Sequence, residues 1–209
     1  MERPVRVAVL LSGSGTTLQN LLDRIKAGRL AARIALVISS RGDAGGLERA
    51  QRAGIPAVAV PRKSFSDVDA FNDALHIELQ RHDFDLIVLA GFLSPFQLRN
   101  RYAGRVMNLH PALIPAFCGK GFYGEKVHQA VIESGVKVTG CTVHFADEQY
   151  DHGPIILQGT VPVLDDDTPQ TLAVRVHAVE NELYPQAIGL WAQGRLEVRG
   201  RRVRIRAQG

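Results

Sequence analysis

The chain has 209 residues, 45% of them hydrophobic and 22% charged, which suits one globular domain with a full core. No apolar run approaches a membrane span, and the two cysteines, Cys118 and Cys141, predict neither a disulfide framework nor a zinc site. The net charge of +4 is compatible with a nucleic acid or with an anionic small molecule.

Residues 1–4 lead directly into a strand-like segment, so we expect no signal peptide and a cytoplasmic location. Strands and helices then alternate along the first half of the chain. Continuous apolar runs predict strands at residues 5–11, 34–38, 57–60, 86–90 and 105–109. Apolar residues at helical spacing predict helices at residues 18–27, 44–53, 67–81 and 95–101.

The second half begins with a long loop of prolines and glycines at residues 111–124. Helices are predicted at residues 125–133 and 168–191, the latter capped by Asp167 or Thr168. Strands are predicted at residues 137–145 and 155–163, joined by an acidic turn, and a strand or hairpin at 196–205. This order predicts an α/β fold: a single-domain, doubly wound, mostly parallel, Rossmann-like sheet with a mixed extension, a long C-terminal helix and a terminal hairpin.

Much of the positive charge lies near the C-terminus. The arginines concerned are Arg199, Arg201, Arg202, Arg204 and Arg206. Their alternation with apolar residues favours a solvated edge strand, whose charges discourage pairing with other chains. Nucleic-acid binding is the alternative, although no aromatic residue is interleaved there to stack bases.

A glycine-rich loop at residues 12–17 lies between the first predicted strand and the first helix. Glycines allow close backbone approach, and free N–H groups at a helix N-terminus bind phosphate. A P-loop is excluded because no lysine is present, and Leu18 stands where the dinucleotide fingerprint needs a glycine. A phosphomonoester is therefore the preferred ligand. A tight turn without ligand, or an NADP phosphate on Arg41, remains an alternative.

The segment Asn108-Leu109-His110-Pro111 places an amide and an imidazole on the same side of a predicted strand. An amide N–H can stabilise a developing oxyanion, and an imidazole can move a proton near neutral pH. Further along, Asp147, Glu148 and Asp151 compete as the acid that orients the histidine. The set suggests acyl-group chemistry without a covalent intermediate.

The loops at residues 12–17, 91–95 and 108–121 all follow the carboxyl ends of predicted strands. Ligands of open α/β sheets bind along that edge, so we expect the three loops to line one cleft.

Five groups of residues carry a resemblance to one enzyme family. They are LSGSGTTLQ at 11–19, GLERA at 46–50, LAGF at 89–92, NLHP at 108–111, and VHF at 143–145 with DHGPIILQ at 151–158. Over residues 5–191 the chain resembles glycinamide ribonucleotide formyltransferase of purine biosynthesis. The Asn-His-Pro segment and distal Asp are also compatible with methionyl-tRNA formyltransferase and formyltetrahydrofolate hydrolase, but the glycine loop favours the ribonucleotide enzyme.

The resemblance implies formyl transfer from 10-formyltetrahydrofolate to the amine of glycinamide ribonucleotide. Asn108 would donate a hydrogen bond to the formyl oxygen, and His110 would act as the proton donor. Asp151 would raise the pKa of His110 and organise a water for proton transfer. Because this transfer is direct, Cys118 is not expected to act as a nucleophile.

The resemblance also assigns binding residues. For the ribonucleotide they are Gly15, Thr16 and Thr17 at the phosphate and His177 and Glu180 at the ribose. From the residues alone, His177 and Glu180 would be surface helix positions. For the folate they are Leu93, Ser94, Pro95, Asn108, Asp147, Glu148, Gln149, Tyr150 and Asp151.

The resemblance implies one domain over residues 1–209, with a phosphate-binding half at 5–109 and the folate-site loops, long helix and basic tail at 110–209. The expected partners are small molecules, without metal, nucleic acid or membrane, and the expected state is a monomer or homodimer. His144 and Thr142 either support the site or pack in the core, and Lys120 either steers an anion or is solvated. A water-using formyl-folate hydrolase and a non-enzymatic ribonucleotide sensor are the rival functions.

Overall fold

The computed structural model describes residues 3–207. Met1 and Glu2, which contribute to the expectation of no signal peptide, lie outside the described residues. None of the helices between residues 3 and 207 is long and apolar enough to cross a membrane. The described chain forms two compact units, of which the first ends at Met107 and the second begins at Asn108.

The first unit contains four parallel strands in the order β3-β2-β1-β4. They are β1 (Val5–Leu11), β2 (Ala32–Ser39), β3 (Ala57–Ala59) and β4 (Leu86–Leu89). Most side chains of β1 and all of β4 are buried, as expected for parallel strands covered on both faces. The apolar runs in the sequence therefore predicted these strands correctly.

Three helices belong to the first unit: α1 (Thr16–Lys26), α2 (Gly45–Arg52) and α3 (Val68–Gln80). Helix α1 ends before Gly28, whose φ of 68° lets the chain turn and whose N–H donates to the Ile25 carbonyl. Helix α3 begins at Asp67, whose carboxylate accepts the Ala70 N–H at 2.8 Å. The predicted span of 67–81 thus equals the observed helix with its two caps.

The predicted helix at residues 95–101 is wrong, because this segment has no regular structure. The side chain of Asn72 in α3 accepts the Gln97 N–H at 2.8 Å and donates to the Pro95 carbonyl at 3.2 Å. Arg99 and Asn100 adopt φ values of 51° and 56°, outside the helical region. Hydrogen bonds from a distant helix therefore outweigh the local helical pattern.

The second unit has the strand order β5-β6-β7-β9-β8. The strands are β5 (Val106–His110), which begins in the first unit, β6 (Val138–Phe145), β7 (Ile155–Pro162), β8 (Leu196–Arg199) and β9 (Arg202–Ile205). Strands β6 and β7 are antiparallel, and β8 and β9 form an antiparallel hairpin. The predicted mixed extension and terminal hairpin are confirmed.

Two helices complete the second unit, α4 (Glu125–Glu133) and α5 (Pro169–Ala192). Thr168 caps α5 and forms a capping box with Thr171, which decides between the two predicted caps. Helix α5 packs against α4, β6 and β7. The core between these elements consists of Val131, Cys141, Val161, Leu172 and Val176.

The predicted fold class is confirmed as an α/β fold with a mostly parallel sheet, a long C-terminal helix and a terminal hairpin. The expectation of one domain over residues 1–209, with halves at 5–109 and 110–209, stays a prediction.

Two glycines allow the glycine loop to lie against the start of α2. A Cβ atom on Gly46 would be 2.4 Å from Cδ2 of Leu11, and one on Gly15 would be 2.6 Å from Cα of Gly46. The Gly46 N–H donates to the Gly13 carbonyl at 3.1 Å. The bend of the loop therefore depends on side chains being absent at both positions.

We predict that Gly46→Ala lowers the free energy of unfolding by about 1–3 kcal/mol, because the added methyl group meets a fully buried Leu11. Gly13→Ala is the matched control, since a Cβ atom there meets nothing within 4 Å. Urea unfolding of both variants measures the difference. Equal stability of the two variants would contradict this account of the loop.

Candidate active site

The carboxylate of Asp151, in the loop between β6 and β7, is the centre of a cluster in the second unit. Its Oδ1 accepts a hydrogen bond from Asn108 Nδ2 at 3.2 Å, and its Oδ2 accepts the Gly119 N–H at 2.9 Å. Nδ1 of His110 lies 3.5 Å from Oδ2. The three residues to which the family resemblance assigned catalysis are thus brought together.

The backbone around Asp151 is held tightly. A Cβ atom on Gly153 would lie 1.8 Å from the Phe145 carbonyl oxygen, so only glycine allows this approach. The Phe145 N–H donates to the Pro154 carbonyl at 2.9 Å and closes the base of the loop. Asp151 itself has a φ of 53°, which aspartate tolerates better than most residues. The loop therefore presents one acid in a fixed direction.

His144 on β6 connects Asn108 to the core. The Phe145 carbonyl accepts a hydrogen bond from His144 Nδ1 at 2.8 Å, and Nε2 of the same ring lies 3.6 Å from Asp151 Oδ1. Asn108 Nδ2 lies 3.1 Å from this Nε2. Of the two readings of His144 that the sequence left open, the structure thus supports a role in holding the site, and the ring is also buried.

The imidazole of His110 is buried between two acceptors. Its Nε2 donates to the Phe117 carbonyl at 2.8 Å, and its Nδ1 faces the Asp151 carboxylate. Burial lowers the pKa of His110 and outweighs the opposing effects of Asp151 and the Phe117 carbonyl, which favour the cation. Asp151 thus acts in the expected direction, but the net pKa of His110 lies below its ordinary value.

The pKa of Asp151 is lowered despite burial, which alone would raise it. The neighbouring rings of His144 and His110 and the Gly119 N–H favour the carboxylate and together outweigh the desolvation. Asp151 is therefore ionised at neutral pH, although its side chain is only 10% exposed.

Thr142, two residues before His144, holds the loop that follows His110. Its hydroxyl donates to the Ala112 carbonyl at 2.7 Å and accepts the Ile114 N–H at 3.1 Å. Cys118 lies on the same loop, and its pKa is raised by burial and by the charge of Asp151. A thiol with a raised pKa is a poor nucleophile, in agreement with the sequence-based expectation.

His177 and Glu180 lie together on α5, with 3.7 Å between His177 Nε2 and Glu180 Oε2. His177 is exposed, but Glu180 is only 8% exposed, so reading Glu180 from its sequence as a surface helix residue is wrong. Glu180 follows Leu172 and Val176 at four-residue spacing on the buried face of the helix. Burial raises its pKa to about 7.

His128 on α4 was not found by sequence reasoning. It is 2% exposed, and its ring meets that of His177 edge-on with 6.4 Å between centroids. Burial, with smaller contributions from His177 and His110, lowers the pKa of His128 to about 4. In the sequence, a histidine on the apolar face of a helix looks the same whether it contacts site residues or only packs in the core, so the contact of His128 with His177 could not be predicted.

The glycine loop and the first predicted folate segment lie together in the first unit. The Ser12 hydroxyl contacts Ser40 Oγ at 2.6 Å and accepts the Leu93 N–H at 2.9 Å. Gly15 precedes α1 with a φ of 75° and no side-chain cap. The first N–H groups of a helix have no acceptor within the helix and can bind an anion. Thr16 and Thr17 form that first turn.

The remaining predicted folate residues are mostly at the surface. Asp147 Oδ1 accepts the Gln149 N–H at 2.8 Å, whereas Glu148 and Tyr150 are exposed. Ser94 and Pro95 are half-buried, and the Pro95 carbonyl is bonded to Asn72. Between residues 3 and 207, no group of three or more His, Cys, Asp or Glu side chains is arranged to hold a metal ion.

Comparison with known proteins gives the family. The model of the formyl transferase family matches residues 5–188. Phosphoribosylglycinamide formyltransferase of Haemophilus influenzae is 40% identical over 93% of this chain and 90% of its own length. The crystal structure of glycinamide ribonucleotide transformylase 1 from Symbiobacterium toebii has 46% identity and a TM-score of 0.91, covering 98% of this chain and 95% of that one.

The human trifunctional purine biosynthetic protein adenosine-3 is 39% identical over 94% of this chain, which spans only 19% of that longer protein. The family match and the near full-length relatives agree. The chain belongs to the formyl transferase family.

The buried carboxyl of Glu180 makes stability depend on pH. Because its pKa rises from 4.5 to about 7 on folding, the folded chain retains this proton where the unfolded chain has lost it. We predict that the free energy of unfolding falls by up to ~3 kcal/mol through this group as pH rises through that window. Glu180→Gln should lack this component.

The measurement is the difference in unfolding free energy between wild type and Glu180→Gln at several pH values. Groups that do not interact with Glu180 cancel in that difference, and His177→Ala in both backgrounds removes the contribution of the ring that lies 3.7 Å away. A difference independent of pH between 4.5 and 8 would contradict the assignment of a buried, titrating Glu180.

Proposed function

We propose that the chain transfers the formyl group of 10-formyltetrahydrofolate to the amine of glycinamide ribonucleotide, giving formylglycinamide ribonucleotide and tetrahydrofolate in purine biosynthesis. The observation that carries the proposal is the contact of Asp151 with Asn108 and His110 in a member of the formyl transferase family. The names of the near full-length relatives support the choice of acceptor.

The proposed chemistry is direct. The amine nitrogen attacks the formyl carbon, and negative charge develops on the formyl oxygen. The bond from nitrogen N10 of the folate to the formyl carbon then breaks, so one proton must leave the amine and one must reach N10. Asn108 donates to the oxyanion, exchanging its bond to Asp151 or His144 for one to the formyl oxygen.

His110 serves as the proton donor. Its lowered pKa makes the protonated imidazole a stronger acid than an ordinary histidine, which favours transfer to a leaving nitrogen. The ionised Asp151 faces Nδ1 and stabilises the imidazolium while it exists. Asp151 also orients the water through which the amine proton leaves.

The binding roles follow the same proposal. Gly15, Thr16 and Thr17 bind the ribonucleotide phosphate through the start of α1, and Glu180 with His177 binds the ribose. The pterin and its attached groups contact residues from three segments: Leu93, Ser94, Pro95, Asn108, Asp147, Glu148, Gln149, Tyr150 and Asp151. The enzyme is proposed to act in the cytoplasm as a monomer or homodimer on small molecules, without metal, nucleic acid or membrane.

We predict that Asn108→Ala and His110→Ala each lower turnover by about 10²–10³-fold, because each removes a group that acts on the transferring formyl group. Binding of glycinamide ribonucleotide should remain within about twofold, since the phosphate and ribose residues are unchanged. Folate absorbance measures turnover, and calorimetry measures binding. Gln129→Ala, which removes an exposed amide on α4, is the control.

The acceptor is tested by running wild type with and without glycinamide ribonucleotide and identifying the product by mass. Folate release that requires the ribonucleotide supports transfer. Equal folate release without the ribonucleotide would contradict transfer and indicate hydrolysis of the formyl-folate. Tight ribonucleotide binding without any folate release would contradict both transfer and hydrolysis and indicate a binding function.

A further inference from the structure

The loop that presents Asp151 is connected to the arginine-rich hairpin of β8 and β9. His152, the next residue after Asp151, donates from Nδ1 to Asp147 Oδ2 at 2.7 Å. On the opposite side of the ring, Nε2 of His152 is hydrogen bonded to Nη1 of Arg201, which lies in the turn of the hairpin. Asp147, His152 and Arg201 therefore form a continuous chain of contacts.

The donors and acceptors of this chain of contacts agree with a single tautomer of His152. A carboxylate can only accept, so Nδ1 of His152 carries the proton. A guanidinium can only donate, so Nε2 of the same ring must be the acceptor. The Nδ1–H tautomer of His152 therefore satisfies both neighbours.

Asp147 and His152 enclose the segment that contains Asp151. Asp147 accepts the Gln149 N–H through Oδ1 and holds His152 through Oδ2, so one carboxylate joins the beginning and the end of this turn. Asp151 lies inside the turn with a φ of 53°. A non-glycine residue in this region persists only where its surroundings hold it, and the His152 contacts supply part of that constraint.

The hairpin is anchored well enough to hold Arg201 in place. Its strand β9 pairs with β7 at Ile155 and Arg202, directly beside the loop. Glu197 on β8 forms ion pairs with Arg199 and Arg206 at 2.6 and 3.2 Å. Several arginines of this hairpin therefore have partners and are not simply solvated side chains of an edge strand. The partner of Arg201 is His152.

We propose that Arg201 is a positioning residue for formyl transfer, acting through His152 and Asp147 to hold the turn that aims Asp151 at His110 and Asn108. This inference rests on the proposed function. The contacts are exposed, and exposed ion pairs contribute little to stability, so the role concerns the geometry of the turn rather than the stability of the fold.

The test is a double-mutant cycle of Arg201→Ala, His152→Ala and the double variant, with kcat/KM measured for 10-formyltetrahydrofolate. We expect each single variant to lose about three- to fivefold, the range that a weak exposed network supports. The double variant should be no worse than His152→Ala, because Arg201 acts through His152. Arg201→Lys should restore part of the loss, and the KM for the ribonucleotide should not change.

Arg204→Ala is the matched control, since it removes an exposed arginine of the same hairpin that lies opposite Glu197 rather than at the loop. It should retain wild-type kcat/KM. Losses that add in the double variant, or an equal loss in Arg204→Ala, would overturn the proposal and indicate a general effect of charge.

A second measurement separates this inference from the function. Nitrogen-15 chemical shifts of His152 in the protein without substrate report its tautomer. We expect the Nδ1–H form in both wild type and Arg201→Ala, because Asp147 is the acceptor at Nδ1 in both, and a changed Nε2 shift in Arg201→Ala, because Nε2 loses its donor. If the wild type proves inactive but the Nε2 shift differs between wild type and Arg201→Ala, the proposed function fails and the contact stands. An Nε2 shift that is the same in both proteins refutes the contact and with it the positioning role of Arg201.

Discussion

The carboxylate of Asp151 joins three segments of the second unit that are distant in sequence. Asn108 comes from the end of β5, Gly119 from the loop that follows it, and Asp151 from the turn between β6 and β7. Both donors are partly buried, and Asp151 accepts a hydrogen bond from each. Removing the carboxylate would take an acceptor from each of these partly buried donors, which costs more than the bonds themselves contribute. The arrangement proposed for formyl transfer therefore depends on this acid.

Two buried acids of the same unit illustrate how partners decide the pKa. Asp151 accepts hydrogen bonds and faces two imidazoles, so its pKa is lowered despite burial. Glu180 lies 3.7 Å from His177, and burial raises its pKa to about 7. Asp151 is thus ionised at neutral pH, while Glu180 changes charge near neutral pH. Different environments give two carboxyl groups of one unit different pKa values.

The sequence predicted most of the elements because their signals are local. Apolar runs identified β1 and β4, and helical spacing identified α3, while the cap of α5 was left open between Asp167 and Thr168. The helix predicted at residues 95–101 does not form, because Asn72, 23 to 25 residues away, holds this segment in another conformation by hydrogen bonds. Among Asp147, Glu148 and Asp151, only the family resemblance selected Asp151, because side-chain direction within a turn is a tertiary property. The contact between His152 and Arg201, 49 residues apart, left no signal in the sequence.

The coupling of His110 to Asp151 is tested most directly by the pKa of His110, measured by nitrogen-15 NMR in wild type and in Asp151→Asn. In wild type we expect the pKa of His110 to lie below its ordinary value, because burial outweighs the effect of the Asp151 carboxylate. In Asp151→Asn we expect the pKa to fall further, because the negative charge that opposes burial is gone. A pKa of His110 that is unchanged or raised in Asp151→Asn would contradict this coupling.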